Sequence, residues 1–268
     1  MSIMLEVCVD SLQSAINAIH GGADELEVCS SLSEGGLTPA PGLVIEIQKM
    51  NSNIACKKVI HKTCSQCSCP SLLKKPKVNV MIRCRTGSDF CYTEEEMDTM
   101  LSDIEFYKTL HVDKFVFGAL TADQEIDEQN CVKILQAAHP IPVTFHRAFD
   151  ICSDPHSALA KIVHLGFIRL LSSGQKSSAG DMNAIKLLRN LITIYGDKIE
   201  IMPGAGVNAD NAKEFVNIGC KIIHSSCKRI EQLPSVKNHL TMGTTSSEYI
   251  YITDVNIVRR LKEVLSYL

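Results

Sequence analysis

Met4-Leu5-Glu6-Val7-Cys8-Val9 leads through Asp10-Ser11 and an amphipathic stretch to Gly21-Gly22, and then to Glu25-Leu26-Glu27-Val28-Cys29. The pattern is a strand, a helix closed by glycine and a second strand, one β/α step of a parallel sheet. Both strands carry the tetrad Leu-Glu-Val-Cys, at 5–8 and at 26–29. Side chains alternate along a strand, so Glu6 with Cys8 and Glu27 with Cys29 share one face, while Leu5, Val7, Leu26 and Val28 share the other. The apolar face suits an outer layer of helices, which turns both Glu and both Cys inward.

The same step recurs along the chain. Further strands are predicted over Val78–Ile82, Lys114–Gly118, Pro142–His146, Ile168–Leu171, Ile199–Met202 and Lys221–His224. Helices are predicted over Ser11–His20, Leu43–Met50, Thr93–Leu110, Gln124–Ala138, Asp154–Leu165, Ala179–Tyr195, Asn208–Ile218 and Thr253–Leu265. Thr93 with Glu96 reads as a capping box, and Pro155 sits at the first helical position after Asp154. Eight β/α units favour a closed TIM (β/α)8 barrel, in one domain, over an open doubly wound sheet. Asn51–Pro76 shows neither period, is basic and Cys-rich, and reads as an insertion between the second helix and the third strand, on the face opposite the strand C-terminal ends. Lys228–Ser247 reads as a long loop on the functional face, placed to act as a flap.

The 268 residues are 45% hydrophobic and 21% charged, the composition of a chain with a sizeable core rather than a disordered one. A net charge of −3 supplies no global basic field for nucleic acid. No apolar run reaches the length of a membrane span, and the first residues carry no secretory pattern. The expectation is a cytoplasmic chain whose 12 cysteines are free thiols or metal ligands.

Several constellations could carry chemistry. Adjacent parallel strands lie about 4.8 Å apart, so in-register pairing of the two tetrads would bring Cys8 and Cys29 together. Two thiolates at a barrel mouth suit Cu(I); zinc would want four ligands, and these two strands offer no further His or Cys. The plain alternative is that both cysteines are small core fillers. Arg83 and Arg85 follow the third strand, His146, Arg147 and Asp150 the fifth, and His224 ends the eighth. Together with Glu6 and Glu27 they suggest a pocket for a small anion or a catalytic site, or else salt bridges from Arg83 or Arg147 to Glu6 or Glu27. The turns Ser172-Ser173-Gly174 and Gly204-Ala205-Gly206 could hold a phosphate on backbone amides, or serve only to turn tightly. No lysine stands at a strand end in a Schiff-base position. His61, Cys64, Cys67 and Cys69, with Cys56 upstream, form a second metal-binding motif that lacks the paired spacing of a zinc finger.

Leu5–Ser11, Gly21–Cys29 and Leu32-Ser33-Glu34-Gly35-Gly36-Leu37-Thr38-Pro39 resemble the CutC copper homeostasis family. So do Val80–Arg83, Gly87–Phe90, Phe115–Thr121, Thr144–Asp150, Leu171–Gly174, Met202–Val207 and His224–Ser226, which takes the resemblance across nearly the whole chain. It is the animal members that the chain resembles most. The resemblance implies a TIM barrel that assembles as a homo-oligomer, a tetramer in the animal type, in the cytosol or nucleocytoplasm. It implies Cu(I) as the bound ion, with the family's copper cysteines falling on Cys8 and Cys29, and a polar mouth of Glu27, Arg83, His146, Arg147 and His224. It assigns no reaction and hence no catalytic residue; the enzymatic alternative is a barrel acting on a small anionic or phosphorylated metabolite. Two departures stand out: Cys84 replaces the proline that the family carries between its two arginines, and much of Asn51–Pro76 is extra.

Overall fold

The computed structural model describes residues 3–54, 74–234 and 248–268. Among them, β1 (Met4–Val9), β2 (Glu25–Val28), β3 (Lys77–Met81), β4 (Lys114–Phe117), β5 (Val143–Phe145), β6 (Arg169–Ser172), β7 (Glu200–Pro203) and β8 (Ile222–Ser225) form one parallel sheet. Its order, β7-β6-β5-β4-β3-β2-β1-β8, pairs the last of these strands with the first and curls the sheet into a TIM barrel. β7 and β8 meet without a hydrogen-bonded ladder, so the barrel is nearly rather than fully closed.

The helices α1 (Leu12–Gly21), α2 (Pro41–Ile54), α3 (Glu94–Thr109), α4 (Glu128–Ala138), α5 (Pro155–Leu165), α6 (Met182–Tyr195), α7 (Ala212–Asn217) and α8 (Val255–Ser266) complete the β/α units. Their ends follow from local chemistry. Ser11 accepts from the Ser14 amide and Gly22, at φ 93°, closes α1. The Thr93–Glu96 capping box opens α3. Asp127, Asp181 and Asp254 cap α4, α6 and α8, which start several residues later than expected or, for α8, slightly later. The outward-facing Leu5, Val7, Leu26, Val28, Val78, Val80, Phe115 and Phe117 are fully buried between sheet and helices, as the alternation requires.

Two expectations need correction. α2 runs on to Ile54, past the start assigned to the insertion, because Asn51 is buried and its Nδ2 donates to the Pro76 carbonyl at 3.2 Å. Cys56, His61, Cys64, Cys67 and Cys69 lie outside the described residues. Lys228–Ser247 does not begin as a loop: Lys228–Gln232 is β9, paired antiparallel with β10 (Tyr249–Thr253). The alternation of Tyr249-Ile250-Tyr251-Ile252-Thr253 explains it, since β-branched and aromatic residues favour a strand. β10 docks on α1, where Asn17 Nδ2 donates to the Thr253 carbonyl at 2.7 Å. At the opposite end of the barrel a cleft of about 590 Å3, lined by Phe167, Ile168, Ile192, Glu200 and Lys221 among others, opens at the foot of β7 and β8.

Candidate metal centre at the barrel mouth

Below the mouth lies a belt of buried charge. Lys114 Nζ sits 2.9 Å from both Glu25 oxygens, and Arg169 Nη1 donates to Glu25 Oε2 at 2.7 Å. Arg169 Nε reaches Glu200 at 2.6 Å, and Asn79 Nδ2 reaches Glu6 at 2.6 Å and Glu25 at 2.8 Å. Burial would raise the Glu25 carboxyl, but Arg169 and Lys114 outweigh it and hold it at about 2. Lys114 and Arg169, not Arg83 or Arg147, therefore pair with Glu6, Glu25 and Glu200, while Glu27 faces His224.

The two Leu-Glu-Val-Cys copies do not pair like with like. The β1–β2 register sets Glu6 beside Glu25 and Cys8 beside Glu27, an offset of two residues. Barrel closure demands such staggers, because its strands tilt against the axis. Cys29 consequently stands one inward position further toward the mouth than Cys8. His224 comes beside Glu6 from β8. Its Nδ1 lies 2.8 Å from Glu6 Oε1 and its Nε2 3.8 Å from Glu27 Oε2. The ligand atoms of Cys8, Glu27 and His224 all lie within 4.8 Å of one another, and all three residues are buried.

Electrostatics couple the group. Burial pushes the Glu27 carboxyl up to about 7, with His224 opposing and Glu6 reinforcing the shift. Burial alone would lower His224, but Cys8, Glu27 and Glu6 together hold its imidazole well above the ordinary range. Burial, with Glu27 and Cys8 adding to it, keeps the Cys29 thiol well above its usual value. That thiol lies 3.6 Å from Glu27 Oε2 and packs among Leu32, Met81 and Val116, while Glu27 Oε1 has no partner. Gly36, at φ 88°, covers it: a Cβ there would stand 3.2 Å from the sulfur.

The rest of the predicted pocket is tied down. Arg83 donates from Nη1 to the Glu34 and Gly36 carbonyls, both at 2.9 Å, and from Nη2 to the Gly87 carbonyl at 2.6 Å, with its guanidinium over the Phe90 ring. It latches the loop after β2 to the loop after β3. Arg147 donates to Asp150 and Ser173, each at 2.8 Å. Asp150 in turn accepts from the Ser173 and Gln175 amides and from the hydroxyls of Ser172 and Ser173. A carboxylate of the chain itself thus takes the Ser173 and Gln175 amides, and the Gly174 amide donates to the Ser172 hydroxyl at 2.9 Å. Gly204 belongs to a different contact: a Cβ on it would strike Leu171 and approach His224. Gly206, at φ 75°, lies against Ser178, and its carbonyl accepts from Asn208 and Asn211. His146 is buried beside Gly118; its Nδ1 accepts from the Ala148 amide at 3.2 Å, and Nε2 has no partner. Burial, helped by Arg83 and Arg147, lowers His146 to about 3.

Comparison with known sequences follows the same residues. The CutC family profile matches residues 3–66 and 69–229. The chain belongs to the CutC family. Among CutC relatives, the copper homeostasis protein cutC homolog of Homo sapiens is 38% identical over 267 residues, 97% of this chain and 88% of the relative. The homologue of Caenorhabditis elegans is 35% identical over 265 residues, covering 98% and 96%. The CutC crystal structure from Streptococcus agalactiae superposes with a TM-score of 0.70 at 30% identity, covering 84% of this chain and 98% of that one. Thiamine phosphate pyrophosphorylase of Pyrococcus furiosus, 13% identical with a TM-score of 0.55, shares the fold alone.

Sequence reasoning missed Lys114, Arg169, Glu25 and Asn79 in the belt, Met81 beside Cys29, and the role of Asp150 as an internal anion. Arg169 and Lys114 stand at inward positions by strand alternation, which was the available signal. The meeting of His224 with Cys8 and Glu27 had none, since 197 residues or more separate His224 from either partner.

Proposed function

We propose that this chain is a Cu(I)-binding copper homeostasis protein that buffers or passes on copper in the cytoplasm, using Cys8 and Cys29 at the barrel mouth. The observation that carries the reading is the pair of inward-facing, buried cysteines on neighbouring strands, with Cys29 enclosed by Leu32, Met81 and Val116. Thiolates in an apolar enclosure suit a soft monovalent ion, and the Met81 thioether adds a third soft atom nearby. The names of the CutC relatives point the same way.

The two-residue offset sets a geometric condition. A step of 4.8 Å between strands and about 6.6 Å along one places the two Cα atoms about 8 Å apart. Side chains that converge can then bridge a shared ion. Cys29 must shed its proton to bind, and Glu27 Oε2, already 3.6 Å from the sulfur, is placed to take it. The S–H bond breaks, the sulfur–copper bond forms, and the proton ends on the Glu27 carboxyl.

A phosphorylated-metabolite reading finds little support, because Arg83 and Arg147 are engaged and Asp150 fills the turn after β6. The test is anaerobic Cu(I) titration against a competing chelator. Replacing either cysteine with serine is expected to weaken binding at least about tenfold, and the double variant to abolish one equivalent. Retention in the double variant, with loss on deleting residues 51–76, moves the site to the Cys-rich segment and overturns the proposal. A homo-oligomer, tetrameric as in the animal type, belongs to the same reading and is checked by light scattering.

A further inference from the structure

We propose that Cys8, Glu27 and His224 form a second metal site, for a divalent ion of zinc-like chemistry, that shares Cys8 with the Cu(I) pair and dispenses with Cys29. The donor set is mixed sulfur, nitrogen and oxygen, which zinc takes readily, whereas Cu(I) has no use for a carboxylate. Zinc bonds of about 2.0 to 2.3 Å in tetrahedral geometry place neighbouring donors about 3.4 to 3.6 Å apart. His224 Nε2 and Glu27 Oε2 are 3.8 Å apart, and all three donors lie within 4.8 Å, so side-chain adjustments of up to about 1.3 Å close the shell.

Orientation supports the same conclusion. Glu6 already accepts from Asn79 at 2.6 Å and from Arg169 at 3.4 Å, so it stands as an acceptor toward His224. The ring therefore donates from Nδ1 to Glu6 Oε1, and Nε2 faces Glu27 and Cys8. A carboxylate behind a metal-binding imidazole is the arrangement that fixes its tautomer and raises its basicity. Glu27 supplies an independent sign: the residue is 3% exposed, yet Oε1 has no hydrogen-bond partner, an unfilled acceptor beside the cluster. Three protein donors leave the fourth tetrahedral position for water, as in open zinc sites. Because Cys8 serves both sets, Cu(I) and the divalent ion exclude one another.

Cobalt(II) is the probe, since a thiolate ligand gives it a charge-transfer band and tetrahedral coordination gives intense visible bands. The background is the full chain with Cys56, Cys64, Cys67 and Cys69 replaced by serine, reduced and anaerobic. One equivalent of cobalt is expected to bind with both signatures. Cys29→Ser leaves cobalt affinity within about threefold, and Cys8→Ser removes the charge-transfer band. Glu27→Gln and His224→Gln each weaken binding at least about tenfold; Glu6→Gln, a change to a positioning residue, weakens it about 10- to 100-fold. X-ray absorption of the zinc-loaded unsubstituted mouth, expected to show one sulfur among nitrogen and oxygen donors, serves where a variant fails to fold. Loss of cobalt binding in Cys29→Ser, or wild-type binding in both Glu27→Gln and His224→Gln, overturns the proposal. Copper binding that fails while cobalt binding survives removes the Cu(I) reading alone, so the two claims separate.

Discussion

Arg169→Met tests the charged belt. The guanidinium sits 2.7 Å from Glu25, 3.4 Å from Glu6 and 2.6 Å from Glu200, and its side chain is 3% exposed. Methionine keeps most of the volume and removes the charge. The interaction holding Glu25 at about 2 rather than 4.5 corresponds to about 3 kcal/mol at about 1.4 kcal/mol per unit. That agrees with the cost of about 3–5 kcal/mol for removing one partner of a buried pair. A depressed carboxyl contributes stability above its unfolded value, and that contribution fades as pH falls from about 4.5 toward 2. Without Arg169 only Lys114 is left to oppose the desolvation of Glu25, so the carboxyl titrates higher than in the unsubstituted chain. The deficit of the variant is therefore largest near neutrality and narrows toward about pH 4. The chain has no Trp, so urea unfolding is followed by far-UV circular dichroism. A loss below about 1 kcal/mol at neutral pH, or a deficit that stays constant on acidification, refutes the reasoning.

Two further predictions follow from the mouth. Gly118→Ala drives a methyl into the His146 ring and is expected to cost about 1–3 kcal/mol, read as a lowered Tm, with the ring displaced in a crystal structure. His146 is neutral in the fold down to about 3 while the unfolded residue protonates near 6.5; stability is therefore lost as pH falls below about 6.5, by about 1.4 kcal/mol per unit. His146→Asn keeps an acceptor for the Ala148 amide and is expected to flatten that slope in denaturant titrations.

Much of this molecule was legible in its sequence where local rules apply. Alternation in Leu5–Val9 and Leu26–Val28 correctly sent the aliphatic side chains outward, and Thr93–Glu96 correctly opened a helix. Relations across the barrel were not legible. Identical tetrads suggested sulfur facing sulfur, but strand stagger set Cys8 against Glu27. Arg83 looked like an anion clamp because its type and place fit one, yet three backbone carbonyls of two loops hold it. Lys228–Gln232 passed as loop because its strand partner begins at Tyr249, beyond the reach of a local pattern.

The missing ladder between β7 and β8 makes the wall a cuff with a slit rather than a hoop. Among the described residues β8 pairs as a strand with β1, while Ser225 Oγ of β8 donates to the Val207 carbonyl beyond β7 at 2.8 Å, a side-chain bond across the slit. Backbone amides bordering the slit lack the protection of a paired neighbour and should exchange with deuterium ahead of those between β1 and β2. Widening of the slit would part β8 from β7 without breaking a strand pairing, at the cost of the Ser225–Val207 hydrogen bond alone among those described between them.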